Sequence, residues 1–286
     1  MKQIKNILYI IGVIAVLAAL LFISTAIVQL GIIAAAGGMG IALKEELLYD
    51  ASGTLGTVIT GTIAAAYVKK KGYTGCVEVR EPFRIKTCAY YGALDYSICV
   101  LFYVITTFLF AYVFSMVREP QAIMEKSRID ILLTDILFPV LIAPVFEELL
   151  FRVGVYSLLR RRFQGKSSIL LCTVIFAAIH GYSLQGFCMC FTGGLVYQLI
   201  YIHTGNIWYS IAAHMLHNLD ANIMNALEHR GVTFLGIPMQ YEVNGFNMMH
   251  PIFIIAAVLF CGVCVWKRWT RKEKIKGKSC GKCIRF

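Results

Sequence analysis

Charge is what this chain has least of. Asp, Glu, Lys and Arg together make up 15% of its 286 residues, against about 25% in an ordinary soluble domain, so a water-facing globular fold is excluded. Also missing are the short alternating polar and apolar segments of a transmembrane β-barrel, any internal repeat, any long low-complexity linker and any loop long enough to hold a separate domain. The ten cysteines do not form an exported disulfide framework. Cys76, Cys280 and Cys283 fall in segments expected on the cytoplasmic side, and the other seven lie in or near apolar runs. "CGKC" at 280–283 is read as at most half of a metal-ligand pattern. The terminal "CIRF" carries Arg where a prenylation box needs an aliphatic residue.

What is there is apolar. Hydrophobic residues make up 58% of the chain, and the mean hydropathy is +0.70. Runs near or above the roughly 18–20 residues that cross a hydrocarbon core recur along the whole length. A helix satisfies every backbone polar group inside such a run. The pattern predicts an all-α, polytopic transmembrane helical bundle of about eight spans, at 8–34, 52–68, 90–114, 131–159, 168–183, 186–203, 207–226 and 249–266. The first run follows Lys2 and Lys5 and far exceeds the about 7–15 apolar residues of a signal-peptide core, so it is expected to stay attached as an anchor. The first three spans carry few polar residues beyond Ser and Thr, whereas the spans from 131 to 226 hold nearly all the intramembrane Glu, His, Arg and Asn. The chain divides accordingly into N-terminal helices over 1–128, a polar-equipped core over 129–228, and a last helix with a basic tail over 229–286.

A net charge of +11 raises nucleic acid as a partner, and the distribution of the charge argues against it. Lys and Arg cluster at 2–5, 69–86, 160–166 and from 267 to the end. With eight spans, all four clusters fall on one side. They hold 21 of the 27 basic residues, against Lys44, Arg118, Lys126, Arg128 and Arg230 on the other side and Arg152 within a span. The excess of Lys and Arg on one side marks that side as cytoplasmic, with both termini there. The basic tail is then an anchor that touches anionic lipid headgroups, and no nucleic-acid partner is expected.

Against this background "PVFEELLFR" at 144–152 stands out. A charge at the centre of a membrane helix costs about 2.5–3.5 kcal/mol on insertion scales, so Glu147, Glu148 and Arg152 must face protein or a wet cavity. Glu148 and Arg152 are at i and i+4 on one helical face and can pair, the acid in the favourable N-terminal position. Glu147 is rotated by about 100° and has no such local partner. In "FAAIH", Phe176 and His180 share a face. Glu147 and His180 lie at nearly equal distances on either side of residue 163 or 164, so a hairpin at "RRRFQGK" brings them to a similar depth. In "HMLHN", His214 and Asn218 again share a face, two to three turns beyond an entry near Gly205. His217 and Asp220 lie close by, either behind these groups or on another face.

One carboxylate, two imidazoles and an amide can activate water and stabilise an oxyanion. Glu147, His180 and His214 are also a set that zinc accepts, with water in the fourth position. Both routes lead to hydrolysis. Taken singly, each motif also has an ordinary structural explanation, as a satisfied ion pair, a core histidine or an interhelical hydrogen bond.

The order and spacing of Glu147, Glu148 and Arg152, then Phe176 and His180, then His214 and Asn218 resembles the CPBP family of intramembrane proteases, which includes the CAAX prenyl endoproteases of the Rce1 type and bacterial proteins linked to bacteriocin processing and self-immunity. The contexts "EELLFR" and "TGNIWYSIAAHMLHNL" are similar too. The resemblance covers about 131–226. It implies that Glu147 activates the attacking water beside His180, that His214 and Asn218 hold the oxyanion, and that Glu148 and Arg152 orient the site. The family is often called a metalloprotease, while its prenyl endoproteases resemble glutamate-dependent enzymes, so zinc is left open.

The sequence therefore reads as an intramembrane endopeptidase of a bacterial cell membrane, acting on a membrane-associated or lipophilic peptide or protein at a site open to the cytoplasm. Its oligomeric state is left undecided. The alternatives are a non-catalytic bacteriocin-immunity or interaction protein built on the same bundle, and, third, a transporter that relays protons through the Glu and His residues, for which no inverted repeat is visible. The charge distribution makes the topology testable. Tags placed at both termini should be protected from an impermeant external label in intact cells, and labelling of either terminus from outside would remove the eight-span arrangement.

Overall fold

The computed structural model describes residues 2–42, 44–73, 82–114, 131–163, 165–180, 183–229, 233–234, 237–238, 240–243 and 246–278. Arg118, Lys126, Arg128, Arg230, Cys76 and the "CGKC" tail lie outside them. The described residues form a helical bundle whose helices follow the expected spans. They are α1 Lys2–Met39, α2 Glu45–Lys70, and α3 Ile85–Phe108, which continues as a π-helical turn Leu109–Val113. The fourth, α4, runs unbroken through Ile131–Ile142, Ala143–Glu148, Leu149–Val155 and Tyr156–Arg162. Then come α5 Lys166–His180, α6 Leu184–Thr204, α7 Ile207–His229 and α8 Pro251–Lys278. Between α7 and α8 the chain adds two short antiparallel ribbons, β1 Thr233–Phe234 with β2 Ile237–Pro238, and β3 Gln240–Val243 with β4 Phe246–Met249.

By length and composition, Gln3–Met39, Leu47–Lys70, Ile85–Val113 and Leu184–Thr204 can each cross a membrane. The helices outside this set include α4 and α7, which carry the intramembrane Glu, Arg, His and Asn. At about 1.5 Å per residue, the 38 residues of α1 outreach a hydrocarbon core of about 30 Å. Most of α1 is exposed in the isolated chain, as a lipid-facing helix must be.

Helix α4 is the centre of the arrangement, packed by α2 on one side and by α5 and α7 on the others, while α3 contacts α6, α7 and α8. Small residues allow α2 to approach α4 closely. A Cβ built on Gly61 would stand 2.6 Å from the carbonyl oxygen of Phe146, and one on Gly154 would stand 3.0 Å from the Ala64 Cβ. In α1, the Ser24 hydroxyl lies 2.9 Å from that of Thr60 and 3.0 Å from the Gly56 carbonyl of α2, and the Tyr9 hydroxyl donates to the Leu158 carbonyl of α4 at 2.8 Å. The buried cluster around α4 includes Leu150, Phe151, Val155, Leu159, Cys172 and Phe176. All seven described cysteines are free thiols.

Two left-handed glycines reverse the chain where a side chain would be strained. Gly165 (φ 59°) serves the α4–α5 hairpin, and Gly205 (φ 67°) closes α6, its N–H donating to the Tyr201 carbonyl at 2.8 Å. Asn206 then caps α7 through Oδ1, which accepts from the Trp208 N–H at 3.1 Å. These turns set the depth at which His180 and His214 sit.

Two of the pieces of α4, Ile131–Ile142 and Leu149–Val155, are π-helical, a wider winding that recurs at functional sites. In the π register the Pro139 carbonyl would look for the N–H of residue 144, which is Pro and has none. That carbonyl accepts instead from Asn218 Nδ2 of α7 at 2.8 Å.

Gly61→Val should lower the melting temperature of the detergent-solubilised protein, because overpacking costs about 1–3 kcal/mol and the clash falls on the carbonyl next to Glu147. Gly12→Ala, whose added Cβ meets nothing within 4 Å, should leave it unchanged. Equal melting of the two variants would show that the α2–α4 approach does not constrain the bundle.

Candidate active site

The paired carboxylates sit in the short α-helical piece of α4 between its two π-helical stretches, and they take different partners. Glu148 and Arg152 are fully buried. Arg152 Nη2 donates to Glu148 Oε1 at 3.1 Å, and Nε lies 2.9 Å from Oε2, with its N–H not aimed along that line. The guanidinium carbon stands 4.9 Å over the Phe176 ring and 5.9 Å from that of Tyr197. On its far side Glu148 is held by α7: Ser210 Oγ lies 2.7 Å from Oε2 and His214 Nδ1 3.2 Å from Oε1. The expected i, i+4 pair is therefore present, and it also anchors a second helix.

Glu147 has no partner on its own helix but meets two from other helices. Its Oε2 lies 3.4 Å from His180 Nε2 and 3.7 Å from His214 Nε2. Each imidazole is held from behind. His180 Nδ1 is 2.8 Å from the Phe176 carbonyl, which can only accept, so Nδ1 carries the proton. His214 Nδ1 faces the Glu148 carboxylate, which accepts likewise. In their neutral forms both rings therefore turn an Nε2 lone pair towards Glu147. A proton supplied at this point is shared among three acceptors. Ring packing fixes the planes: Phe176 and His180 lie 4.4 Å apart, and Tyr197 stacks on His214 at 4.6 Å.

Glu147 and His180 face a cavity of about 560 Å³ between α1, α2, α4 and α5, lined also by Thr25, Thr57, Thr134 and Phe151. Leu150 separates it from a second, apolar cavity of about 670 Å³, which runs along α1 and α2 to Tyr73 and Arg161.

Of the expected residues, Glu147, His180 and His214 meet at one point, and Glu148 with Arg152 stands behind His214. Asn218 lies on the same helix as His214 but spends one amide N–H on the Pro139 carbonyl. Ser210 and Tyr197 were not anticipated. Ser210 is four residues before His214 on the same face, a spacing that points to it; the Tyr197 stack depends on how α6 and α7 are rotated and leaves no such mark. His217 belongs to another face, with Nδ1 3.4 Å from Oδ2 of Asp95 on α3. Asp95 itself, 1% exposed, is an intramembrane acid within a span read as holding little beyond Ser and Thr.

A zinc ion needs ligand atoms about 3.3 Å apart around a tetrahedron. The donors of Glu147, His180 and His214 are not all within 4.8 Å of one another. The trio is thus more open than a zinc site, and no step is assigned to a metal here.

Over residues 130–219 the chain matches the family described as type II CAAX prenyl endopeptidase Rce1-like. Those residues, the Rce1-like segment, are similar to that family. The match spans all of Glu147, Glu148, Arg152, His180, His214 and Asn218, and stops short of α1 to α3 and of α8. It supports a peptide-bond hydrolase with a protein or peptide substrate, in a multi-pass membrane protein. No curated protein and no solved structure matches the chain.

The different surroundings of the two carboxylates predict different phenotypes. Arg152→Ala or Glu148→Ala leaves one buried charge without its partner, which typically costs 3–5 kcal/mol, so the accumulation of folded protein should fall. Glu147→Gln keeps the shape and should leave accumulation and melting near those of the parent. Equal loss in all three variants, read by size-exclusion chromatography, would assign both carboxylates to the scaffold.

Proposed function

We propose that the protein is a glutamate-dependent intramembrane endopeptidase. The observation that carries this reading is the convergence of Glu147, His180 and His214 from three helices, with Glu147 and His180 on a cavity wall, within an Rce1-like segment. Glu147 takes a proton from a water whose oxygen attacks the peptide carbonyl. The carbonyl π electrons move to oxygen, giving a tetrahedral oxyanion. As that intermediate collapses, the C–N bond breaks and Glu147 returns the proton to the leaving nitrogen. His180, its Nδ1 committed to the Phe176 carbonyl, orients the water through Nε2.

His214 and Asn218 donate to the oxyanion. For His214 this requires an N–H at Nε2, the ring nitrogen that faces Glu147. Asn218 has one amide N–H left beyond the one it gives to Pro139. The substrate is a lipophilic or membrane-associated peptide that enters between α1, α2 and α4, along the apolar cavity that Leu150 separates from the polar cavity at Glu147.

Loss of an oxyanion donor typically costs about 10²–10³ in rate. Asn218→Ala should therefore retain weak turnover in reconstituted vesicles where Glu147→Ala shows none. Active wild-type protein should hold no zinc that depends on Glu147 and His180. Zinc that is bound by the wild type and lost in Glu147→Gln/His180→Ala, with activity that disappears on its removal and returns with it, would overturn the glutamate route in favour of a metalloprotease.

A further inference from the structure

A second cluster of ligand-type side chains lies beyond the catalytic layer, between α3 and α7. Asp95 and Cys99 are four residues apart on one face of α3, 1% and 3% exposed, and His217 of α7 faces them. His217 Nδ1 lies 3.4 Å from Asp95 Oδ2, and the Cys99 thiol donates to Asp95 Oδ1 at 3.6 Å. One donor atom from each residue lies within 4.8 Å of the other two, and among the described residues no other His, Cys, Asp and Glu donors are gathered so tightly.

We propose that Asp95, Cys99 and His217 form a metal site for a zinc-class divalent ion, separate from the Glu147 centre. On a tetrahedral zinc, nitrogen and oxygen ligands stand about 3.3 Å apart and sulfur and oxygen about 3.6 Å, close to the separations of His217 and Cys99 from the two Asp95 oxygens. The donor chemistry selects the ion, because thiolate and imidazole favour zinc-class metals over magnesium or calcium, which prefer oxygen. Binding replaces the thiol proton, which leaves to water while the sulfur electron pair goes to the metal.

The fourth position opens on a cavity of about 230 Å³ that Cys99 and His217 line together with Tyr96 and Asp220. Asp220, three residues after His217, supplies a further carboxylate there. The buried Tyr96 hydroxyl has no hydrogen-bond partner among the described residues, and a metal-bound water would give it one. Asp95 and Cys99 lie outside the Rce1-like segment, so the site is not part of what that match covers. It does touch the catalytic layer: Tyr197 stacks on His214 and meets His217 edge-on, at 6.3 Å. An ion clamping α3 to α7 would steady the ring that positions His214.

The test uses the full chain in detergent with the other donor sets removed, as Glu147→Gln/His180→Ala with Cys261→Ser/Cys264→Ser and Cys280→Ser/Cys283→Ser. Metal-stripped protein is titrated with Co²⁺ alone. One equivalent should bind with a thiolate-to-cobalt charge-transfer band. Cys99→Ser should abolish the band, and His217→Ala should weaken binding by more than the about 10–100-fold that loss of a mere outer-shell partner costs. Absence of the band in the parent, or its persistence in Cys99→Ser, would overturn the proposal and leave the cluster as a hydrogen-bonded clamp between helices. Should Cys99→Ser not fold, X-ray absorption of the zinc-loaded parent decides: one sulfur and one imidazole in the first shell are expected, and a shell without sulfur or with several sulfurs overturns the site.

Discussion

A buried guanidinium and carboxylate on one turn of a membrane helix oblige the rest of the bundle to accommodate them. Glu148 and Arg152 are both fully buried, and either alone would be an uncompensated charge in a low-dielectric interior. The pair is not self-sufficient, since a carboxylate has more lone pairs than one guanidinium fills. Ser210 and His214 take up the remainder, and Phe176 and Tyr197 lie against the guanidinium. Helices α4, α5, α6 and α7 are thereby held in one relation.

That relation gives Glu147 its chemistry. Once His214 is committed through Nδ1 to Glu148, its Nε2 points at the neighbouring carboxylate. His180, committed through Nδ1 to its own helix, does the same from α5. A structural ion pair and a reactive carboxylate thus occupy adjacent positions, and the roughly 100° between successive helix residues is what separates scaffold from chemistry. The close approach of α2 at Gly61 fixes the backbone immediately before Glu147.

Much of this is legible in the sequence where covalent geometry decides it. The Glu148–Arg152 pair follows from helical spacing, and the meeting of Glu147 with His180 follows from their equal distances to the hairpin turn. The span pattern follows from hydropathy. What depends on the rotation of one helix against another is not legible: the Tyr197 stack on His214, and the facing of His217 towards Asp95 rather than towards Glu147. The partner of Asn218 is hidden for another reason. Pro139 and Pro144 are visible in the sequence, but the π register that orphans the Pro139 carbonyl is not.

The central claim is that Glu147 performs peptide-bond hydrolysis rather than completing a binding surface. The most direct measurement compares the termini of membrane proteins, by mass spectrometry, in cells that carry either the wild-type protein or Glu147→Gln at equal abundance. The account predicts new termini present only with the wild type, together with an accumulating uncleaved precursor in the variant. Identical sets of termini, with any protective effect of the protein retained by Glu147→Gln, would contradict it and favour a non-catalytic immunity protein built on the same bundle.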